Sequence, residues 1–233
     1  VLARPKEDTD RAIRRNAQDI LREFVMTFVS FFAKKQIIIA VLFLLLFRLP
    51  EALLTPVSQL FLQALPSKGG LGLSPQEFGL VNGTVGVIGF LVGGVIGGML
   101  ISRDGLKKWL WPMTLAITIP NLTYVYLAYV MPENLMLINV CVAIENLGYG
   151  FGFSAYMLFM IYFSQGEHKT SHYALCTGLM ALSMMLPGLF AGALAQTAGY
   201  RLFFIIVMIS CLLPFCVASF LKIDANFGKK ERE

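Results

Sequence analysis

Charge is what this sequence has least of. Asp, Glu, Lys and Arg make up 14% of its 233 residues, against about 25% in an ordinary soluble domain. Histidine occurs twice. The four cysteines, Cys141, Cys176, Cys211 and Cys216, all fall inside apolar runs without metal-ligand spacing, and read as small buried hydrophobes. His168 and His172 are four apart in QGEHKTSHY, but further ligands are lacking there, and a helix start capped by Thr170 or Ser171 is the better reading. There is no Gly-rich phosphate loop, no Ser-His-Asp set and no nucleotide motif, and no nucleophile is arranged beside a base. An enzyme, a cofactor, a metal site and a nucleic-acid partner are therefore not expected.

What replaces charge is apolar length. Hydrophobic residues make up 57% of the chain, and the mean hydropathy is +0.70. Six blocks, near 36–62, 78–101, 109–131, 135–163, 171–195 and 201–221, reach or approach the ~20 residues needed to cross a ~30 Å hydrocarbon core. The expected fold is an all-α integral membrane domain over 36–221, with a linker over 1–35 and a tail over 222–233. The chain opens at Val1 with charge rather than an apolar leader, which reads as continuation from something longer.

Basic residues orient it. Of the 19 Lys and Arg, sixteen fall in 1–35, in the loops after the second and fourth spans and in the tail. Only Lys68 and Arg201 fall in the opposite loops, and Arg48 lies within a span. The basic side is the cytoplasmic one, so both ends of the segment are expected there. The net charge of +5 needs no nucleic acid to explain it. Residues 9–33 alternate Ile13, Ala17, Ile20, Phe24, Phe28 and Phe31 with arginines at helical spacing. They read as an amphipathic helix on the membrane surface, or as a helical linker packed on protein. Trp109 and Trp111 read as interface anchors.

The second span opens with SPQE, Ser74 to Glu77, a capping box with Pro at the first helical position. Its glycines, among them Gly86, Gly89, Gly93 and Gly97, recur three or four apart and leave one helix side nearly bare. Close packing within the bundle is the first reading and oligomerisation the second.

Two carboxylates and one arginine stand where charge is most costly. Arg48 lies about 18 Å into the first span at ~1.5 Å per residue, Glu51 is one turn deeper, and Glu145 lies about 15 Å into the fourth span from its other end. A charge at the bilayer centre costs roughly 2.5–3.5 kcal/mol on insertion scales. Arg48, Glu51, Thr55, Ser58 and Gln59 are spaced to share one face of a helix; Glu145 shares a face with Tyr149, Gly152 and Tyr156, beside Asn146. These stripes are expected to face the bundle interior or a watered cavity. An Arg48–Glu51 ion pair locking two helices is the structural alternative.

The stretch GGMLISRDGLKKW resembles the loop between the second and third helices of each half of major facilitator transporters, Gly-x-Leu-Ala-Asp-Arg-x-Gly-Arg-Arg/Lys. Gly98, Leu100, Arg103, Gly105 and Lys107 match it, while Ser102 stands for the Asp and Leu106 for a basic residue. FRLPEALLTP, LSPQEFGLVNGTVGVIGFLVGGVIGGML, AIENLGYGFGFSAYMLFMIYFS, HKTSHYALCTGLMALS and PGLFAGALAQTAGYRLFF together resemble the C-terminal half of AmpG-type muropeptide permeases, which lie near the acetyl-CoA transporters. The resemblance implies one six-helix half, two three-helix inverted repeats, of a twelve-helix fold in the bacterial inner membrane, with an N-terminal six-helix half as its partner. It also implies proton-driven uptake of anhydro-muropeptides and a gating loop at Arg103, Asp104, Gly105 and Lys107. Arg48, Gln59, Asn146 and Tyr149 are the candidate substrate contacts, and Glu145, then Glu51, the candidate proton carriers. A transporter of another anionic or sugar-like solute, a non-transporting scaffold and an oligomeric channel are the remaining readings.

Overall fold

Long apolar runs without lipid-side hydrogen-bond partners can only satisfy their backbone internally, so helices follow. The computed structural model describes residues 17–229, and the part of the surface-helix segment before Ala17 lies outside them. The helices are α1 Ala17–Phe32, α2 Ile37–Leu46, α3 Leu49–Gln63, α4 Pro75–Phe78, α5 Val87–Asp104, α6 Leu106–Thr118, α7 Leu122–Val130, α8 Leu135–Ser164, α9 Lys169–Ser210 and α10 Leu212–Ser219. A π-helical stretch, Gly79–Gly86, joins α4 to α5, and a 3₁₀ turn, Ile119–Asn121, joins α6 to α7.

Among the described residues five continuous runs are long and apolar enough to cross a membrane: Ile37–Gln63, Pro75–Asp104, Leu106–Val130, Leu135–Ser164 and Lys169–Ser219. The sequence reading divided the last into two. Its 51 residues have the length for two crossings of ~20 residues each. A kink at Gly199, φ 74° and ψ 157°, breaks it where only glycine is comfortable.

Local signals act where the chemistry requires. Ser74 accepts from the Glu77 amide at 3.3 Å, and Glu77 accepts from the Ser74 amide at 2.8 Å, so the second span starts on a closed capping box. At α9 the expected cap is not used: neither Thr170 nor Ser171 caps it, and the first helical bond runs from the His172 amide to the His168 carbonyl, 2.9 Å. The His172 ring is instead buried against α1, 3.0 Å from Ser30 Oγ and edge-on to Phe31. The exposed face of α1 carries Val25, Met26, Val29 and Phe32.

α5 packs along α8 more extensively than any other pair of helices. A Cβ at Gly93 would lie 2.1 Å from the Leu147 carbonyl, and one at Gly150 would lie 2.0 Å from the Phe90 carbonyl. Backbone therefore meets backbone in both directions. On its other side α8 meets α6, where a Cβ at Gly148 would lie 2.1 Å from the Ala116 carbonyl. Gly93→Ala should force α5 and α8 apart and lower stability by about 1–3 kcal/mol, read as a fall in thermal midpoint. Gly98→Ala, where a Cβ meets nothing within 4 Å, should leave it unchanged.

The apolar core is divided. One cluster gathers Phe43, Phe47, Met113, Tyr156, Phe159 and Cys176. The other gathers Leu54, Phe61, Tyr124, Val142, Ala191 and Phe204. Between them, in sequence order along the first, third and fourth runs, fall the buried polar residues Arg48 and Glu51, Asn121, and Glu145.

Candidate transport site

The first span is broken at its arginine. Leu46 ends α2, Leu49 begins α3, and Arg48 sits between them at φ −98° and ψ 4°, with Pro50 in the first turn of α3. Proline has no amide hydrogen, so breaks of this kind free carbonyls that neighbouring side chains take up. Tyr156 on α8 donates its hydroxyl to the Leu44 carbonyl at 2.7 Å.

The break decides where the charges go. Arg48 is 7% exposed. Its Nη2 donates to the Tyr149 hydroxyl on α8, and its guanidinium lies over the Phe153 ring at 4.7 Å, with Tyr149 and Tyr156 at 5.7 and 5.8 Å. Arg48 Nε is buried and, among the described residues, meets no acceptor. Glu51 is 1% exposed and accepts from Asn121 Nδ2 at 2.9 Å; the same amide lies 3.8 Å from Cys211 Sγ. Among the described residues no ion pair within 4 Å joins Arg48 to Glu51. The helix-locking pair is thus replaced by an aromatic box around the cation and an amide on the carboxylate.

Beyond Tyr149 opens a cavity of about 240 Å³. Thr55, Ser58 and Gln59 line it from α3, Asn82 from the π-helical stretch, Phe90 from α5, Tyr124 from α7, and Glu145, Asn146 and Tyr149 from α8. Glu145 is 6% exposed and accepts from Asn146 Nδ2 at 2.7 Å; that amide also reaches the Val142 carbonyl at 3.0 Å. A carboxyl group on a wall of amides, hydroxyls and ring faces can exchange a proton with the cavity while the neutral groups hold a polar solute. A larger cavity, about 560 Å³, lies by Gln63, Lys68, Gln196 and Tyr200. Among the described residues no carboxylate lines it.

Of the residues singled out from sequence, the structure brings Gln59, Glu145, Asn146 and Tyr149 to one cavity. Arg48 stands behind Tyr149, off the cavity wall, and Glu51 points to Asn121 instead. The loop residues lie at an end of the bundle. Asp104 pairs with Lys108 at 3.2 Å and accepts from Trp109 Nε1 at 3.1 Å, so Trp109 has a partner beyond an interfacial role. Arg103 lies 3.9 Å from Asp104 and is exposed, Lys107 is exposed, and Gly105 turns the chain at φ 90°. The tail folds onto this loop, the Leu106 amide donating to the Phe227 carbonyl at 3.0 Å. Gly86 meets the Asn146 side chain, Gly89 the Ala143 carbonyl and Gly97 Ser154, all on α8.

Sequence reasoning missed Asn82, Phe90, Asn121, Tyr124 and Phe153 at the site. A polar residue beside a proline within a span was the available signal for Asn121. Asn82 carried a comparable one, an amide beside glycine in an apolar run.

No protein-family profile matches the chain. It does align with curated proteins. A protein named AmpG 1 from Rickettsia prowazekii is 26% identical over 175 residues, 74% of this chain. The chain is a distant relative of the AmpG permeases. The anhydromuropeptide permease of Escherichia coli K12 is 26% identical over 176 residues, 76% of the chain, and AmpG 4 of Rickettsia conorii 24% over 199 residues, 85% of the chain. The aligned parts make up 38%, 35% and 46% of those three proteins, so the chain spans less than half the length of these AmpG relatives.

Proposed function

We propose that this chain is the C-terminal six-helix half of a major facilitator transporter that imports anhydro-muropeptides with protons across the bacterial inner membrane. The linker and tail face the cytoplasm, on the side where sixteen of the 19 basic residues collect. The 51-residue run supplies the fifth and sixth crossings, divided at Gly199. A partner half of the same polypeptide, matching the remaining length of the relatives, closes the cavity from the other side.

The observation that carries this reading is Glu145, a buried carboxyl on a cavity wall whose other described residues are uncharged, with hydrogen-bonding and aromatic groups beside Leu54 and Val87. Isolated polar groups in a membrane interior are functional by default. The proton gradient is the driving force, and no cofactor enters.

The test is uptake of labelled anhydro-muropeptide into proteoliposomes by the polypeptide carrying both halves. Uptake is expected to saturate, to follow an inward proton gradient, and to be competed by unlabelled muropeptide but not by acetyl-CoA. Competition by acetyl-CoA alone would assign a different solute. Flux that neither saturates nor follows the gradient would make the chain part of a channel.

A further inference from the structure

A third cavity, about 450 Å³, lies at the end of the bundle where α1 joins α2 and the chain leaves α10. Lys34, Lys35 and Lys222 line it, with Phe159, Tyr162 and Phe163 from α8. The three lysines come from opposite ends of the described chain, and among the described residues no carboxylate lies within 4 Å of any of them. Like charges gathered without a counter-ion repel, and an anion bound among them relieves that repulsion.

Lys34 shows how the site is held. Its Nζ donates to the Phe163 carbonyl at 2.5 Å and to the Gln165 carbonyl at 2.9 Å, and lies 5.2 Å from the Phe163 ring centre. Two of its three donors are therefore used, and the third is left for a ligand. Burial holds the Lys34 ammonium below the usual lysine range, a penalty that an adjacent anion relieves. Tyr162 and Lys35 add further donors at the same cavity.

The surroundings indicate the ligand's other half. Next to the lysines, α2 exposes Ile38 and Leu42, and α1 exposes Val29 and Phe32. A charged cavity rimmed by apolar helix surface suits a molecule with an anionic head and a hydrocarbon body.

We propose that Lys34, Lys35 and Lys222 form a binding site for a phosphate group, supplied by an anionic phospholipid whose acyl chains lie along α1 and α2. The site is separate from the Glu145 cavity and does not depend on what that cavity transports.

The test uses the polypeptide carrying both halves, purified in mild detergent. Phosphatidylglycerol or phosphatidylcholine is added, and retained lipid is read by native mass spectrometry. Phosphatidylglycerol should be retained over phosphatidylcholine, and the Lys35→Gln/Lys222→Gln double variant should lose about 25-fold in its apparent affinity, from roughly a fivefold effect per lysine. That variant leaves the Lys34 bonds to α8 in place, so folding, followed by its thermal midpoint, should hold. Lys107→Gln/Lys108→Gln removes the same charge elsewhere and should retain the lipid. A second arm adds inorganic phosphate. Displacement of the lipid at millimolar phosphate, with the same lysine dependence, supports the site and assigns free phosphate as its source. Equal retention of both lipids, or retention indifferent to Lys35 and Lys222, overturns the proposal.

Discussion

Glu145→Gln is expected to reduce gradient-driven uptake to the level of empty vesicles while leaving solute binding largely intact. Gln keeps the shape of Glu and keeps an oxygen for Asn146 Nδ2, whose bond to Glu145 is 2.7 Å. It cannot take up and release a proton. The cavity's other groups, Gln59, Asn146 and Tyr149 among them, are untouched and continue to hold the solute. Glu51→Gln is the internal comparison. Glu51 accepts from Asn121 and stands off the cavity wall, so its amide replacement should retain most uptake. Equal losses in both variants would move the proton to a shared pair, and loss in Glu51→Gln alone would exchange the roles. Binding is read by isothermal titration calorimetry and uptake by the proteoliposome assay, so the two effects separate.

Arg48→Met is expected to make the protein more stable and less active. The guanidinium is buried, has no carboxylate within 4 Å among the described residues, and leaves Nε without an acceptor. Its compensation is the Tyr149 hydroxyl and three ring faces. A desolvated cation–π contact contributes about 2 kcal/mol, whereas burying an ion costs several kcal/mol even after relaxation. The penalty is the larger, so a flexible apolar chain of similar length should raise the thermal midpoint. Arg48 holds the Tyr149 hydroxyl on the edge of the cavity, and its loss should weaken solute affinity and uptake together. A fall in stability with uptake preserved would make Arg48 a structural residue only.

Much of the architecture could be read in advance because its signals are local. Apolar runs of membrane length, the Ser74–Glu77 box and the glycine spacing of the second run each act over a few residues. What the spacing could not give was the partner. The stripe of Gly89, Gly93 and Gly97 announces a close neighbour, but that α8 answers with Gly150 becomes visible only when the helices are side by side. The site was half legible for the same reason. Glu145, Asn146, Tyr149 and Gln59 could be grouped because each lies on a regular helix. Arg48 was assigned to the Glu51 face by helical spacing carried through Phe47, and the break before Pro50 turns it to α8. Asn121 is 70 residues from Glu51, and no periodicity links two spans that far apart.

The divided core has a mechanical meaning. Two greasy blocks, one around Phe43 and Phe159 and the other around Phe61 and Phe204, are separated by a layer of hydrogen bonds rather than by continuous interlocking side chains. Interlocked hydrocarbon resists sliding, whereas a sparse polar layer can exchange partners with water and re-form. The layer also contains the backbone break of the first run at Arg48 and the 3₁₀ turn of the third at Asn121, while α8 runs through it unbroken. In the proposed transport cycle, the contacts free to exchange partners with water are those of this layer, Asn121 to Glu51 among them, while each apolar block keeps its own packing.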